Sequence, residues 1–296
     1  MTSKEEFSLD SKIDESDLIL CEMIGRGSSA DVYRAWLKTR NQEPLEVAVK
    51  RMGKIKGDID NDQIKKEIQF LQTLKHEHII DYYAYVDTER LTMIVMEYAV
   101  KGSLYDYLKQ VDSLPQELKV QWQLQIAKSI QYLQESHIFH GDIKSHNYVI
   151  TSQNILKLCD FGIARNLAAT ESTKNTRGTT KWQAPEVFMH GILSPKAQIF
   201  ALGIILWELE TCEEPYKDKH PGMVMWEVGT ENLRPSITDK FSPHIAELIR
   251  SCWHHDRSER PEIAYVIKQL EAIKKEPCVC AGSVTGESEG VDEEGK

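Results

Sequence analysis

Apolar residues crowd into short β-branched and aromatic runs over the first third of the chain and then fall into step with a helix. Residues 18–24, 32–37, 47–51, 79–86 and 91–97 form such runs, divided by Gly, Asn and charged turns, and they predict five strands. One helix interrupts them. Between Asp62 and Leu74 the apolar residues Ile64, Ile68, Leu71 and Leu74 recur at helical spacing, with Asp60 or Asn61 placed to cap the start. From Ser103 onward the spacing is helical, over residues 118–133, 196–211, 243–252 and 261–273, with two short strands, 148–151 and 155–159, among these helices. A strand-rich front and a helical back predict an α+β chain of two lobes with a cleft between them, a natural ligand site.

Length and composition agree with a large folded core: 296 residues, 41% apolar and 28% charged. No window approaches the roughly 18 apolar residues of a membrane span, and Met1 to Glu6 lack a signal peptide's apolar core, so the expected site is the cytoplasm, away from any membrane. Six cysteines, at 21, 159, 212, 252, 278 and 280, lack Cys-x-x-Cys spacing and are expected as free thiols. The net charge of -10 belongs to the ends, since residues 1–18 carry -4, residues 277–296 carry -4 and the rest only -2. The folded part therefore has no basic bias toward nucleic acid. Residues 1–18 are expected as an acidic extension, 19–276 as the folded domain (19–98 and 99–276 as its lobes), and 277–296, rich in Gly, Ser and Glu, as a disordered acidic tail.

Chemistry enters with four segments. Gly25 to Val32 joins two expected strands through glycines whose N–H groups can approach phosphate oxygens. Strand follows strand, so this is no Rossmann turn, and by itself the segment is an ordinary hairpin. Lys50 stands mid-strand in Val47-Ala48-Val49-Lys50, where an ammonium is costly without anions, and Glu67 lies 17 residues on along the helix as its partner. In His140-Gly141-Asp142-Ile143-Lys144-Ser145-His146-Asn147, an Asp, a Lys two positions on and an Asn five positions on supply a base, a phosphate-binding cation and a metal-binding carbonyl. Asp160, in Asp160-Phe161-Gly162, follows a short hairpin and adds a carboxylate for Mg²⁺.

These motifs resemble the eukaryotic protein kinase family over about residues 19–275. The resemblance implies a two-lobed kinase fold, with a small antiparallel sheet plus one helix above a larger helical lobe. It implies ATP and Mg²⁺ as cofactors and a protein as substrate. Lys50, anchored by Glu67, would bind the α- and β-phosphates, Asp142 would accept the substrate proton, Lys144 would steady the γ-phosphate, and Asn147 and Asp160 would hold magnesium. Met96, Glu97 and Ala99 would form the gatekeeper and hinge whose backbone meets adenine. Val32, Ala48 and Val149 would sandwich the ring, and Ile24, Gly25, Gly27 and Cys159 would also line the nucleotide pocket. Glu186 of Ala184-Pro185-Glu186 would pair with Arg260.

Lys144, together with Thr179 in Gly178 to Glu186, is similar to serine/threonine kinases, in which that Lys and Thr join the catalytic Asp. Lys144-Ser145-His146-Asn147 and Trp182 resemble the tyrosine-kinase-like group, which includes Raf, mixed-lineage and TAK-type MAP kinase kinase kinases. Two positions depart from the family pattern. Gly141 replaces the Arg that pairs with an activation-segment phosphate, and Gln198 replaces an Asp that caps the catalytic loop, so the usual activation switch is expected to be altered. The same departures motivate a competing reading, a catalytically weak kinase-fold scaffold that binds nucleotide; a small-molecule phosphotransferase is a third. Thr170, Ser172, Thr173 and Thr176 are candidate phosphosites, with Arg165, Lys174 or Arg177 as phosphate partners, or plain turn formers. Cys159 reads either as a thiol open to electrophiles or as a small buried hydrophobe.

Overall fold

Strand β3 (Leu45–Gly53) shows why the front of the chain forms a sheet with two covered faces. Successive side chains point to opposite faces, so Val47 and Val49 go to one apolar cluster while Ala48 and Met52 go to another. The computed structural model of the chain describes residues 12–27, 30–39, 43–54, 60–167 and 179–275. In it β1 (Leu18–Arg26), β2 (Asp31–Leu37), β3, β4 (Tyr82–Asp87) and β5 (Leu91–Glu97) form one antiparallel sheet in the order β1-β2-β3-β5-β4. Helix α1 (Asp60–Thr73) packs Ile68 and Leu71 into the cluster that holds Ala48, and that cluster runs on without a break into the helical lobe. The expected capping side chains of Asp60 and Asn61 lie outside the described residues.

The helical lobe is built on α5 (Pro195–Thr211), buried from Ala197 to Leu209 on every face, which makes it the lobe's axis. Its start is fixed by Pro195 in the first turn and by Ser194, whose side chain accepts the N–H of Ala197 at 3.3 Å. Against it pack α3 (Gln116–Glu135) and α7 (Pro243–Cys252), and α8 (Ile263–Lys275) packs in turn on α3 and α7. Near the cleft lie two small antiparallel pairs: β6 (Ile138–Phe139) with β9 (Arg165–Asn166), and β7 (Tyr148–Ile150) with β8 (Leu156–Leu158).

Three short helices were not marked by periodicity: α2 (Leu104–Leu108), α4 (Pro185–His190) and α6 (Pro221–Thr230). On α6, Met223 and Trp226 face solvent, so no apolar stripe marks the helix. The expected strand 79–86 begins only at Tyr82, because Ile79 and Ile80 pair across the cleft: the Ile80 N–H donates to Leu158 and the Leu158 N–H to His78, both at 2.9 Å. Lys12 and Ile13 of the N-terminal extension lie beside β4, with the Ile13 N–H donating to the Tyr85 carbonyl at 3.0 Å. The tail 277–296, Cys278 and Cys280, Ser28-Ser29 and the candidate phosphosites from Thr170 to Thr176 lie outside the described residues.

Candidate functional site

Alternation along β3 sends Lys50 to the same face as Ala48, toward the cleft. Its Nζ lies 2.6 Å from Glu67 Oε1 and 2.8 Å from Asp160 Oδ1. Glu67 is buried on α1, and burial pushes its carboxyl up despite Lys50. Burial alone would drive the Lys50 ammonium down, but the two carboxylates overcome that and hold it charged, well above its ordinary value. Asp160 is held low against its own burial by Lys50. It adopts a left-handed backbone (φ 64°), which is costly for a residue with a side chain and aims the carboxylate at the cleft.

Opposite Lys50, one carboxylate organises a second cluster. Asp142 Oδ1 accepts the Thr179 N–H at 2.9 Å, while Oδ2 meets Lys144 Nζ at 2.5 Å and accepts Asn147 Nδ2 at 3.0 Å. Lys144 Nζ also donates to Thr179 Oγ1 at 2.5 Å. Burial would raise Asp142, but Lys144 and the Thr179 N–H hold it below the usual carboxylate range, so it is ionised at neutral pH. Asn147 spends its Nδ2 on Asp142, also donating to the Asp142 carbonyl at 2.8 Å, which leaves its Oδ1 as the atom to offer a cation.

The loop carrying Asp142 is held from behind. Gln198 Oε1 accepts the His140 N–H at 3.1 Å, and its Nε2 donates to the Ile138 carbonyl at 3.4 Å, so the amide grips the chain on both sides of Phe139. An aspartate there would lack a proton for Ile138 at neutral pH. Gly141 has φ 85°, and a Cβ on it would lie 3.2 Å from the Ile163 side chain, so the local fold itself disfavours a larger residue.

The expected nucleotide-lining residues come together only in part. Ala48 lies opposite Met96 in register, and Val32, Val149 and Cys159 pack against the cluster that holds both. Ile24 is exposed, and Gly25 pairs with Val32. The Gly27 N–H donates to the Ala30 carbonyl at 2.8 Å, drawing the ends of β1 and β2 together. Glu97 turns its side chain to Lys157 at 2.5 Å and spends its N–H on the Asp81 carbonyl at 2.8 Å. Cys159 donates its Sγ–H to the Asn147 carbonyl at 3.2 Å, and burial pushes the thiol up to about 12. Of the two readings of Cys159 this favours the inert one. A haloacetamide at neutral pH should leave it unmodified in peptide mass mapping, and rapid labelling there would contradict this.

At the end of the activation segment Glu186 and Arg260 meet as a fork, Oε1 to Nη1 at 2.7 Å and Oε2 to Nη2 at 2.9 Å, with Arg260 fully buried. The model of the protein tyrosine and serine/threonine kinase family matches residues 18–270. The chain belongs to the protein kinase family. It is 32% identical over 256 residues to the serine/threonine-protein kinase STY46 of Arabidopsis thaliana, covering 86% of this chain and 44% of that protein. It is 32% identical over 226 residues to mitogen-activated protein kinase kinase kinase 12 of Rattus norvegicus, covering 76% and 24% of the two chains. To the serine/threonine-protein kinase CTR1 of Arabidopsis thaliana it is 31% identical over 269 residues, covering 88% and 32%. The kinase chain spans less than half the length of these relatives.

Protein kinases generally use ATP and Mg²⁺. Among the described residues no cluster of three His, Cys, Asp or Glu side chains could cage a metal by itself. Asp160 and the free Oδ1 of Asn147 nonetheless fit Mg²⁺, which keeps waters and takes one or two carboxylates together with substrate phosphates. No helix of the described residues is long and apolar enough to cross a membrane.

Motif reading left the role of His140 open. Its Nδ1 accepts the Asp142 N–H at 3.3 Å, so Nε2 carries the proton and donates to the Cys159 carbonyl at 3.1 Å, while burial keeps the ring neutral. It thereby ties the loop of Asp142 to the strand end that presents Asp160, with Phe161 edge-on to it at 4.7 Å.

Proposed function

We propose that this chain transfers the γ-phosphoryl group of ATP, with Mg²⁺, to serine or threonine hydroxyls of a protein in a cytoplasmic signalling cascade of the kind run by MAP kinase kinase kinases. The observation that carries this reading is the mutual contact of Asp142, Lys144 and Thr179. Lys144 is placed to touch the base and the segment that presents the acceptor at once. Gly141 and Gln198, the motives for a catalytically weak scaffold, leave Asp142 in contact with Lys144 and Asn147.

In the proposed reaction Asp142 orients the acceptor hydroxyl and takes its proton as the oxygen bonds to the γ-phosphorus and ADP departs. Lys144 offsets the negative charge on the transferring group, and Lys50, fixed by Glu67, holds the α- and β-phosphates. Asn147 and Asp160 would hold Mg²⁺, whose charge neutralises the phosphate oxygens. Adenine would sit between Val32, Ala48 and Val149, near Ile24, taking a hydrogen bond from Ala99 beside Met96 and Glu97.

The test is transfer from radiolabelled ATP to a generic protein substrate, followed by acid hydrolysis. Label in phosphoserine and phosphothreonine is expected. Predominant phosphotyrosine would overturn the acceptor class, and nucleotide binding without transfer would favour the scaffold.

A further inference from the structure

Glu208 has no part in the chemistry above, yet it is a carboxyl 1% exposed in the last turn of α5, flanked by Trp207 and Leu209. Its Oε1 accepts the Ser145 Oγ–H at 2.7 Å and its Oε2 accepts the Trp182 Nε1–H at 2.6 Å. Those donors belong to two separate short 3₁₀ turns, Ser145–Asn147 and Thr180–Trp182. The residue that opens the first turn is Lys144 and the one that opens the second is Thr179. These two meet at 2.5 Å, and both contact Asp142.

The contacts therefore close a ring, from Lys144 through Ser145, Glu208 and Trp182 to Thr179 and back to Lys144. The catalytic contacts lie on one side of it and the rigid, fully packed α5 on the other. His146 fills the space between the turns, stacked on Tyr105 with ring centroids 3.6 Å apart and edge-on to Trp182 at 5.3 Å. Burial, and then Lys144, push His146 down to about 4, so it adds no charge there.

A carboxyl is costly to bury at this place: even with both donors bound, burial pushes Glu208 up to about 8. What an apolar side chain lacks is a pair of hydrogen-bonding oxygens at a fixed spacing, reaching both turns from one rigid point.

We infer that Glu208 is a positioning residue for phosphoryl transfer: by holding Ser145 and Trp182 it sets the approach of Lys144 to Thr179 and so the aim of Asp142 at the acceptor hydroxyl. The inference rests on the roles proposed for Asp142 and Lys144. The effect of Glu208 on nucleotide affinity is expected to be small, because Lys50, Glu67 and the hinge lie outside the ring.

The test compares Glu208→Leu, Glu208→Gln, Ser145→Ala and Trp182→Phe in steady-state transfer to a protein substrate, with thermal melting of each. Misplacing a reacting group by about 1 Å costs on the order of 100-fold in rate, so kcat of Glu208→Leu is expected to fall by roughly 10- to 100-fold with the KM for ATP within about 2-fold of the parent. Glu208→Gln should recover most of kcat, because its oxygen still accepts from Trp182 and its amide can donate to Ser145 once that hydroxyl turns. If Glu208→Leu fails to fold, Ser145→Ala and Trp182→Phe read the same split, each removing one donor. A folded Glu208→Leu with parental kcat, parental kcat in both donor variants, or a Gln variant as slow as the Leu variant overturns the inference. Asp142→Asn assayed alongside separates the two levels. Transfer retained in Asp142→Asn sinks the catalytic assignment and the inference with it, whereas an inactive Asp142→Asn beside a fully active Glu208→Leu sinks the inference alone.

Discussion

Asp142→Asn is expected to lower kcat for protein phosphorylation by about 10²- to 10⁴-fold, the span that a general base contributes. Asparagine fits the same space and keeps one oxygen for the Thr179 N–H, which donates to Asp142 Oδ1 at 2.9 Å in the parent. At the other position it places an NH₂ group against the Lys144 ammonium, where Oδ2 now lies at 2.5 Å. Two donors then face each other, and no atom is left to take the hydroxyl proton. The KM for ATP should change by less than about 3-fold, because a group that acts mainly in the transition state affects kcat and kcat/KM alike. Melting should also move little, since Thr179 and the Gln198 grip on the loop persist. Initial rates with radiolabelled ATP provide the measurement. Rates within about 5-fold of the parent, below the contribution of a general base, would falsify the assignment of Asp142.

Much of this site is legible in sequence because each of its parts is local. Val47, Val49 and their neighbours announce a strand, a lysine among them demands an anion, and a helix 17 residues on supplies Glu67. The chain from Asp142 to Asn147 lies in one loop, so spacing alone encodes which side chains converge. Helix α7 is likewise legible to the residue, since its buried positions, Ile245, Ala246, Leu248, Ile249 and Cys252, trace one stripe between Pro243 and Cys252.

What stays hidden depends on partners far apart in the chain or on backbone geometry. Glu208 lies 63 residues from Ser145 and 26 from Trp182, amid apolar neighbours that make it look like an accident of a buried helix. Gly141 reads in sequence as a missing arginine, but its left-handed backbone against Ile163 is a property of the folded loop. Gln198 reads as a weakened acceptor, and only the fold reveals that its amide nitrogen donates to Ile138 as well. These residues support the loop from behind. Sequence spacing thus captures the groups that face the substrate better than those that hold them.

The largest stability loss is expected from Arg260→Met. Every N–H direction of this guanidinium is engaged: Nε donates to His254 O at 2.8 Å, and Nη1 and Nη2 each divide between a Glu186 oxygen and a backbone carbonyl, of Lys196 and His255 respectively. The Phe200 ring lies 5.0 Å beneath its central carbon. Methionine fills part of the volume but leaves the Glu186 carboxylate buried without its counter-charge, which costs about 3–5 kcal/mol when one partner of a buried pair is removed. At about 2–4 °C per kcal/mol for a domain of this size, the melting temperature should fall by roughly 10 °C.

The companion variant Glu186→Gln/Arg260→Met separates charge from packing. Removing the stranded charge should restore part of the loss, because an unpaired carboxylate in the interior is worse than a neutral amide there. Full recovery is not expected, since the carbonyls of Lys196, His254 and His255 still lose their donor. Glu186 lies in the first turn of α4, four residues beyond Trp182, so the single variant should also loosen the segment that carries Thr179. Calorimetry of both variants measures the difference. If the single variant melts with the parent, or the double variant melts below the single one, the fork is not what fixes the end of the activation segment.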